Sequence, residues 1–282
     1  MTFVTLAEDL SFLLTNRVPR RALTRFMGWL SPIEQPLVRS AALGLWKTFS
    51  DLDLSDAKRQ DFRSIQDCFT RELKDGARPI APDAAIFASP CDGIVGAHGV
   101  VEGGTVVQAK GFPYTLAELL GDISLALPYE GGTFVTLRIT PTMYHRFHAP
   151  ADLRVEHVTY ISGDTWNVYP IALKRVERLF CRNERAVLRC RLADDTPILL
   201  IPVAAILVAS IRLHCADVLL HLKYRGPNEI PCDASYAKGQ EMGWFQHGST
   251  IIALVPKGVA IHEGITEGHR IRMGEPLLRL PR

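Results

Sequence analysis

The chain predicts an α+β fold, with short helices at the N-terminus followed by a mainly antiparallel β-rich body. Three observations predict it. Residues 1–65 carry apolar clusters cut by prolines; from about residue 76 short β-branched runs alternate with Gly, Pro and Asp; and no Rossmann glycine pattern, P-loop or internal repeat offers another organisation. In the first region Leu10, Phe12, Leu13 and Leu14 form one cluster, Leu23, Phe26, Met27, Trp29 and Leu30 a second, and Leu37, Leu43, Leu45, Trp46 and Phe49 a third. Pro19, Pro32 and Pro36 break them into separate short helices, because proline lacks the N–H that a helix interior needs.

Arg17, Arg20, Arg21 and Arg25 are spaced so that most share one helix face, with Trp29 and Trp46 nearby. Basic residues, aromatics and an apolar stripe suit a helix lying in a membrane interface. The pattern equally suits a helical layer packed on the protein's own core with solvated arginines.

The second region, 66–282, supplies the strands. They are read at Gly93 to Val95, Gly104 to Val107, Thr133 to Ile139, Arg154 to Ile161, Ala186 to Leu192, Ile198 to Ile211, Asp217 to Leu222 and Thr250 to Val255. Helices are predicted at Leu116 to Leu120 and at about Pro170 to Leu179. The longest apolar run, Ile198 to Ala209, is interrupted by Pro202 and falls short of the ~20 residues that span a bilayer. Its β-branched content suits a buried strand pair.

At 282 residues, with 47% hydrophobic and 22% charged, the chain has the length and composition for one large or two modest cores. The formal net charge of +2, without a Lys/Arg-rich run interleaved with aromatics, argues against a nucleic-acid partner. The six cysteines form no Cys-x-x-Cys pair and no cleavable signal peptide is evident, which predicts reduced thiols in a cytosolic setting. Cys91, beside Asp92, reads as a small buried residue rather than a reactive thiol. His98, His157, His214, His221, His262 and His269 lack metal-ligand spacing, and no metal is predicted.

The informative segment is Gly239-Gln240-Glu241-Met242-Gly243-Trp244-Phe245-Gln246-His247-Gly248-Ser249-Thr250, a Gly-Ser-Thr step at the mouth of the apolar run Ile251 to Val255. Upstream stand Ser89-Pro90-Cys91-Asp92-Gly93-Ile94-Val95 and Tyr144-His145-Arg146-Phe147-His148-Ala149-Pro150. With Gln108-Ala109-Lys110-Gly111, Gly132-Thr133-Phe134-Val135-Thr136, Tyr160-Ile161-Ser162-Gly163-Asp164 and Arg182-Asn183-Glu184-Arg185, these resemble, in order, the motifs of the phosphatidylserine decarboxylase family. The likeness runs from about residue 20 to the end. His247 stands where the family's Leu-Gly-Ser-Thr step has leucine.

The resemblance implies a self-processing enzyme. The Ser249 hydroxyl would attack the Gly248 carbonyl, the resulting ester would eliminate to dehydroalanine, and hydrolysis would leave a pyruvoyl group on a small chain, 249–282, beside a large chain, 1–248. By resemblance His148 is the base and Asp92 orients it, as in a Ser-His-Asp triad. Gly248 suits the cleavage step because a residue without Cβ tolerates strained backbone. His145 is the candidate for protonating the product carbanion or for holding the substrate carboxylate; spacing does not divide these roles between the two histidines. Residues three apart on a strand face opposite ways, so His145 and His148 share a site only if the segment is irregular, as Pro141 and Pro150 favour.

The implied reaction converts phosphatidylserine to phosphatidylethanolamine and carbon dioxide, with the covalent pyruvoyl group as cofactor. The N-terminal helices would reach the lipid, making this a peripheral protein on the cytoplasmic side of the cell membrane. The two chains would stay associated after cleavage, and a homodimer is also implied. Rival readings are a pyruvoyl decarboxylase of another amine, a Ser-His-Asp hydrolase without self-cleavage, which lacks a Gly-x-Ser-x-Gly elbow, and a carrier-like β module with Lys110 as attachment site. Lys110 and Lys238 are also the lysines to weigh for pyridoxal phosphate, the alternative electron sink.

Overall fold

The computed structural model describes residues 19–108, 112–207, 209–246 and 249–281. The expectations placed on residues 1–18, on Ala109, Lys110 and Gly111, and on His247 and Gly248 lie outside the described residues.

The prolines set the N-terminal helices as expected. Helix α1, Arg20–Leu30, follows Pro19, and α2, Pro36–Phe49, starts on Pro36, where the missing N–H would have no intrahelical partner anyway. Helix α3, Ile65–Phe69, is capped by the Ser64 side chain, which accepts from Asp67 N. Leu54, Ala57, Phe62 and Cys68 form a small apolar cluster with Leu43 and Trp46 of α2 packed against it. No helix among the described residues is long and apolar enough to cross a membrane.

The body begins with strands β1 (Ile86–Ala88), β2 (Gly93–Val100), β3 (Thr105–Val107) and β4 (Pro113–Thr115), then helix α4 (Leu116–Leu120), held by a Thr115–Glu118 capping box. Strands β5 (Thr133–Ile139), β6 (Arg146–His148) and β7 (Leu153–Ile161) follow. The helix expected over 170–179 is two short ones, α5 (Pro170–Leu173) and α6 (Leu179–Arg182). Then come β8 (Arg185–Leu192), β9 (Pro197–Ala204), β10 (Ile211–Leu213), β11 (Val218–Leu220), β12 (Glu229–Tyr236), β13 (Glu241–Phe245), β14 (Ser249–Val255), β15 (Ala260–Ile261), β16 (Arg270–Ile271) and β17 (Pro276–Arg279).

Eight strands form an antiparallel sheet in the order β12-β7-β8-β9-β14-β5-β2-β16. Its central strand β14 is buried throughout, because both faces are covered. Ile251, Ala253 and Val255 join one cluster with Phe147, Leu213 and Phe245 of a second, four-stranded sheet, β11-β10-β13-β6. The alternate residues Ile252 and Leu254 join another with Leu116, Leu119, Leu179 and Phe180 of α4 and α6. The main sheet therefore lies between a sheet layer and a helical layer.

The register gathers one end of this sheet. Ser249 opens β14 opposite Ile139 at the end of β5 and Ala204 at the end of β9. Gly93 opens β2 at the same end, so Asp92 sits two strands from Ser249, about 10 Å at the usual spacing. Helix α1 docks here too. Arg20 pairs with Asp164 at 2.6 Å and stacks over Trp166, while buried Thr24 meets Thr165 at 3.3 Å and accepts from Leu207 N at 3.2 Å.

Candidate active site

Asp92, His145, His148 and Ser249 are all buried. Backbone hydrogen bonds link the segments that carry the first three. His148 N donates to Pro90 O at 2.8 Å, tying β6 to the loop that carries Asp92. Phe245 N donates to His145 O at 2.9 Å, tying the same segment to the strand that leads toward Ser249.

The segment 141–145 is irregular, as Pro141 and Pro150 predict, but His148 closes a short strand. His145 places its Nδ1 2.8 Å from Met143 O and its ring edge-on to Phe69, which in turn stacks on Trp46 of α2. A line of rings thus runs from an N-terminal helix to a candidate catalytic histidine.

His148 is held at both nitrogens. Its Nδ1 lies 2.9 Å from Gly239 O, and because a carbonyl only accepts, Nδ1 carries the proton. Nε2 is then the free base, and the Tyr144 hydroxyl donates to it at 3.0 Å. Burial pulls the imidazole below its ordinary pKa, so the neutral form that a base requires is favoured. Gly239 has φ +82°, a left-handed backbone that presents its carbonyl to the histidine at little cost only in glycine. Tyr144 stands inside the sequence motif, yet nothing in the spacing assigned it a contact.

Asp92 does not hydrogen-bond to His148 here. Arg78 forks onto both of its oxygens, at 2.8 and 2.6 Å, and Met273 N donates to it at 2.9 Å. Arg78 also reaches Asp56 at 2.8 Å. The carboxylate is thus fixed by three donors, and the imidazole's tautomer is set by a backbone carbonyl instead. Sequence reasoning did not find Arg78; its sole signal is a guanidinium shortly upstream of a buried aspartate.

Ser249 differs from both. Its hydroxyl is fully buried and has no hydrogen-bond partner among the described residues. An orphaned buried hydroxyl costs roughly 1–3 kcal/mol, and such groups concentrate where chemistry needs them.

Lys238 does not offer a Schiff-base amine: its Nζ donates to Asp83 O and Ile86 O at 2.8 and 2.7 Å. Cys91 is fully buried, and burial pushes its thiol well above the ordinary range, which makes it inert.

A buried serine, two buried histidines and a clamped carboxylate are the residue types that nucleophilic and acid–base chemistry uses. The comparisons with known proteins agree. Residues 65–279 match the family model described as phosphatidylserine decarboxylase. The phosphatidylserine decarboxylase proenzyme of Hahella chejuensis is 34% identical, over 97% of this chain and 95% of its own. That of an Anaeromyxobacter strain is 37% identical over 92% and 94%, and that of Aliivibrio salmonicida 33% over 98% and 99%. The chain belongs to the phosphatidylserine decarboxylase family and is a decarboxylase.

Proposed function

We propose that this chain cleaves itself between Gly248 and Ser249 and then decarboxylates phosphatidylserine to phosphatidylethanolamine at a membrane surface. The observation that carries the reading is Ser249, buried at the mouth of a central strand with no hydrogen-bond partner among the described residues. Its relatives' name, proenzyme, fits a chain that requires processing.

In the proposed maturation, Ser249 Oγ bonds to the Gly248 carbonyl carbon as the peptide C–N bond breaks, giving an ester and a free Ser249 amine. Elimination removes the Ser249 α-proton, breaks its Cβ–O bond and releases Gly248 as a carboxylate. Water then displaces ammonia from the dehydroalanine, leaving the pyruvoyl group. His148 is the base for the first proton; its Nε2 lone pair is available once Tyr144 yields its hydrogen bond. The Arg78-clamped Asp92 supplies fixed negative charge near the imidazolium as it forms.

The pyruvoyl carbonyl supplies the electron sink for decarboxylation that no ordinary side chain provides. The fit rests on Ser249 itself, whose Oγ is buried and unsatisfied among the described residues. His145, buried edge-on to Phe69, is assigned in this reading the role of holding or delivering a proton at the substrate's α-carbon. The small chain would supply β14, β15, β16 and β17, including the centre of the main sheet, so the two products stay associated.

The lipid substrate is favoured over a soluble amine by Phe26, Trp29, Leu37 and Leu45, which are 51%, 63%, 77% and 63% exposed on α1 and α2. Such large apolar groups on the helices that dock at the site suit a membrane interface, with residues 1–65 as the contacting segment and 66–282 as the catalytic body. The protein would then sit peripherally on the cytoplasmic side of the cell membrane.

Intact mass under denaturing conditions tests the proposal. Wild type is expected as two chains, 1–248 and pyruvoyl-capped 249–282, and Ser249→Ala as one. A wild type that stays whole while remaining folded would overturn it.

A further inference from the structure

Arg71 follows α3 and is buried, yet among the described residues two acceptors meet its five N–H donors: Cys68 O at 3.2 Å and Thr142 O at 3.0 Å. Both are neutral carbonyls. Among the described residues no carboxylate lies within ion-pair distance of it, and burial lowers its pKa. A buried charge is ordinarily paired at hydrogen-bond distance, whereas Arg71 feels the Asp92 and Asp53 carboxylates only from further off.

Arg71 lines a cavity of about 450 Å³. Asp92 and Arg78 line it, with Thr142 and Met143 from the turn that leads to His145; its exposed lining residues are Asp51 and Asp53, from the loop after α2, and Arg270 and Arg272. The distribution of charge decides what the cavity can take. Asp51 and Asp53 are exposed and screened by water, as are Arg270 and Arg272. The lining holds four aspartates and four arginines, so its formal charges balance; at the floor Arg78 is hydrogen-bonded by Asp92 and Asp56, whereas Arg71 has no hydrogen-bonded carboxylate among the described residues and keeps N–H donors for an incoming anion.

We infer that this cavity is an anion subsite in which Arg71 holds the phosphodiester of the lipid headgroup. The inference rests on the proposed lipid substrate. Of the two anions in phosphatidylserine, the carboxylate is the poorer candidate: an ion pair to it would stabilise the ground state against loss of carbon dioxide. The phosphodiester keeps its charge throughout turnover, so a guanidinium fork can hold it from binding to product. Part of the cavity's exposed lining is the loop that follows α2, the helix that carries exposed Leu37 and Leu45, which suits entry of a headgroup from the side of the apolar helices.

The test has two arms. In the first, Arg71→Gln and Arg71→Lys are assayed on phosphatidylserine in mixed micelles, with chain cleavage reporting that each has folded. KM is expected to rise about tenfold or more in Arg71→Gln, with kcat changed much less, and to rise less in Arg71→Lys, which keeps charge but loses the fork. In the second arm, uncleaved Ser249→Ala protein is titrated calorimetrically with glycerophosphoserine, sn-glycerol 3-phosphate and inorganic phosphate, with and without the Arg71 changes. Glycerophosphoserine binding that disappears with Arg71→Gln, or falls with Arg71→Lys should the first variant not fold, supports the subsite. Unchanged KM together with unchanged binding overturns it, and binding of inorganic phosphate alone overturns the lipid source. A wild type that fails to decarboxylate phosphatidylserine defeats the proposed function separately, because the calorimetry does not depend on turnover.

Discussion

The Ser249 end of the main sheet and the helices that dock against it solve opposite problems. At the sheet end polar groups are buried: Asp92 takes three donors, His148 is held at both ring nitrogens, and Ser249 has no partner among the described residues. On α1 and α2 apolar groups are exposed, while polar contacts fasten α1 inward through Arg20 and Thr24. Under the proposed function a water-poor reacting centre accounts for the first pattern and a lipid surface for the second.

The largest effect is expected at the buried end. Arg78→Met leaves the Asp92 carboxylate buried with one backbone donor, and breaking a buried pair in this way costs about 3–5 kcal/mol. Urea denaturation of the otherwise uncleaved Ser249→Ala protein would measure it. A loss under 1 kcal/mol would show that water reaches Asp92, and the contrast between a dry sheet end and a wet helical face would fail.

The helices should answer differently. Phe26→Ser with Trp29→Ser removes two exposed side chains whose rings lie 5.8 Å apart, so stability and self-cleavage should hold. Binding to phospholipid vesicles should weaken by up to about 1.5–3 kcal/mol per side chain, the scale of burying a large apolar group. Vesicle co-sedimentation of cleaved protein reads this out. Unchanged sedimentation would assign the exposed rings to another partner.

How far the sequence discloses this contrast depends on which forces set each element. Thr133–Ile139 and Leu116–Leu120 form as the pattern predicts, because β-branched and aromatic residues dominate the strand and a capping box marks a helix start. The run read from Ile198 to Ile211 is two strands in different sheets, β9 and β10. Strand β12 escapes notice because it is an edge strand, with Pro231 and Asp233 diluting its signal. Strand β13 is short and contains Gly243, where a Cβ would collide with Arg212 O. At the site, Asp92, His145, His148 and Ser249 are found by motif, but their partners are not. Arg78 reaches Asp92 from a loop, and Gly239 meets His148 from 91 residues away, a contact made by tertiary packing alone.

The finest distinction concerns what tunes His148. Its pKa is lowered chiefly by burial, with hydrogen bonding to the Gly239 carbonyl acting the other way. The unfolded imidazole titrates near 6.5, so between that pH and the lower folded value the unfolded chain binds the proton that the folded chain refuses. This group's contribution to stability is therefore full above about 6.5 and is lost as pH falls toward the folded pKa. Self-cleavage needs the neutral ring and should stay flat through pH 6.5, declining only at lower pH. Tyr144→Phe removes one hydrogen bond, worth about 0.5–1.5 kcal/mol, and should change the cleavage rate by about 2- to 12-fold. Because burial persists in that variant, the acid edge of the profile should remain below 6.5. Rapid-quench cleavage assays across pH would decide: an edge at or above 6.5 in wild type would mean that water, and not a dry core, surrounds the base.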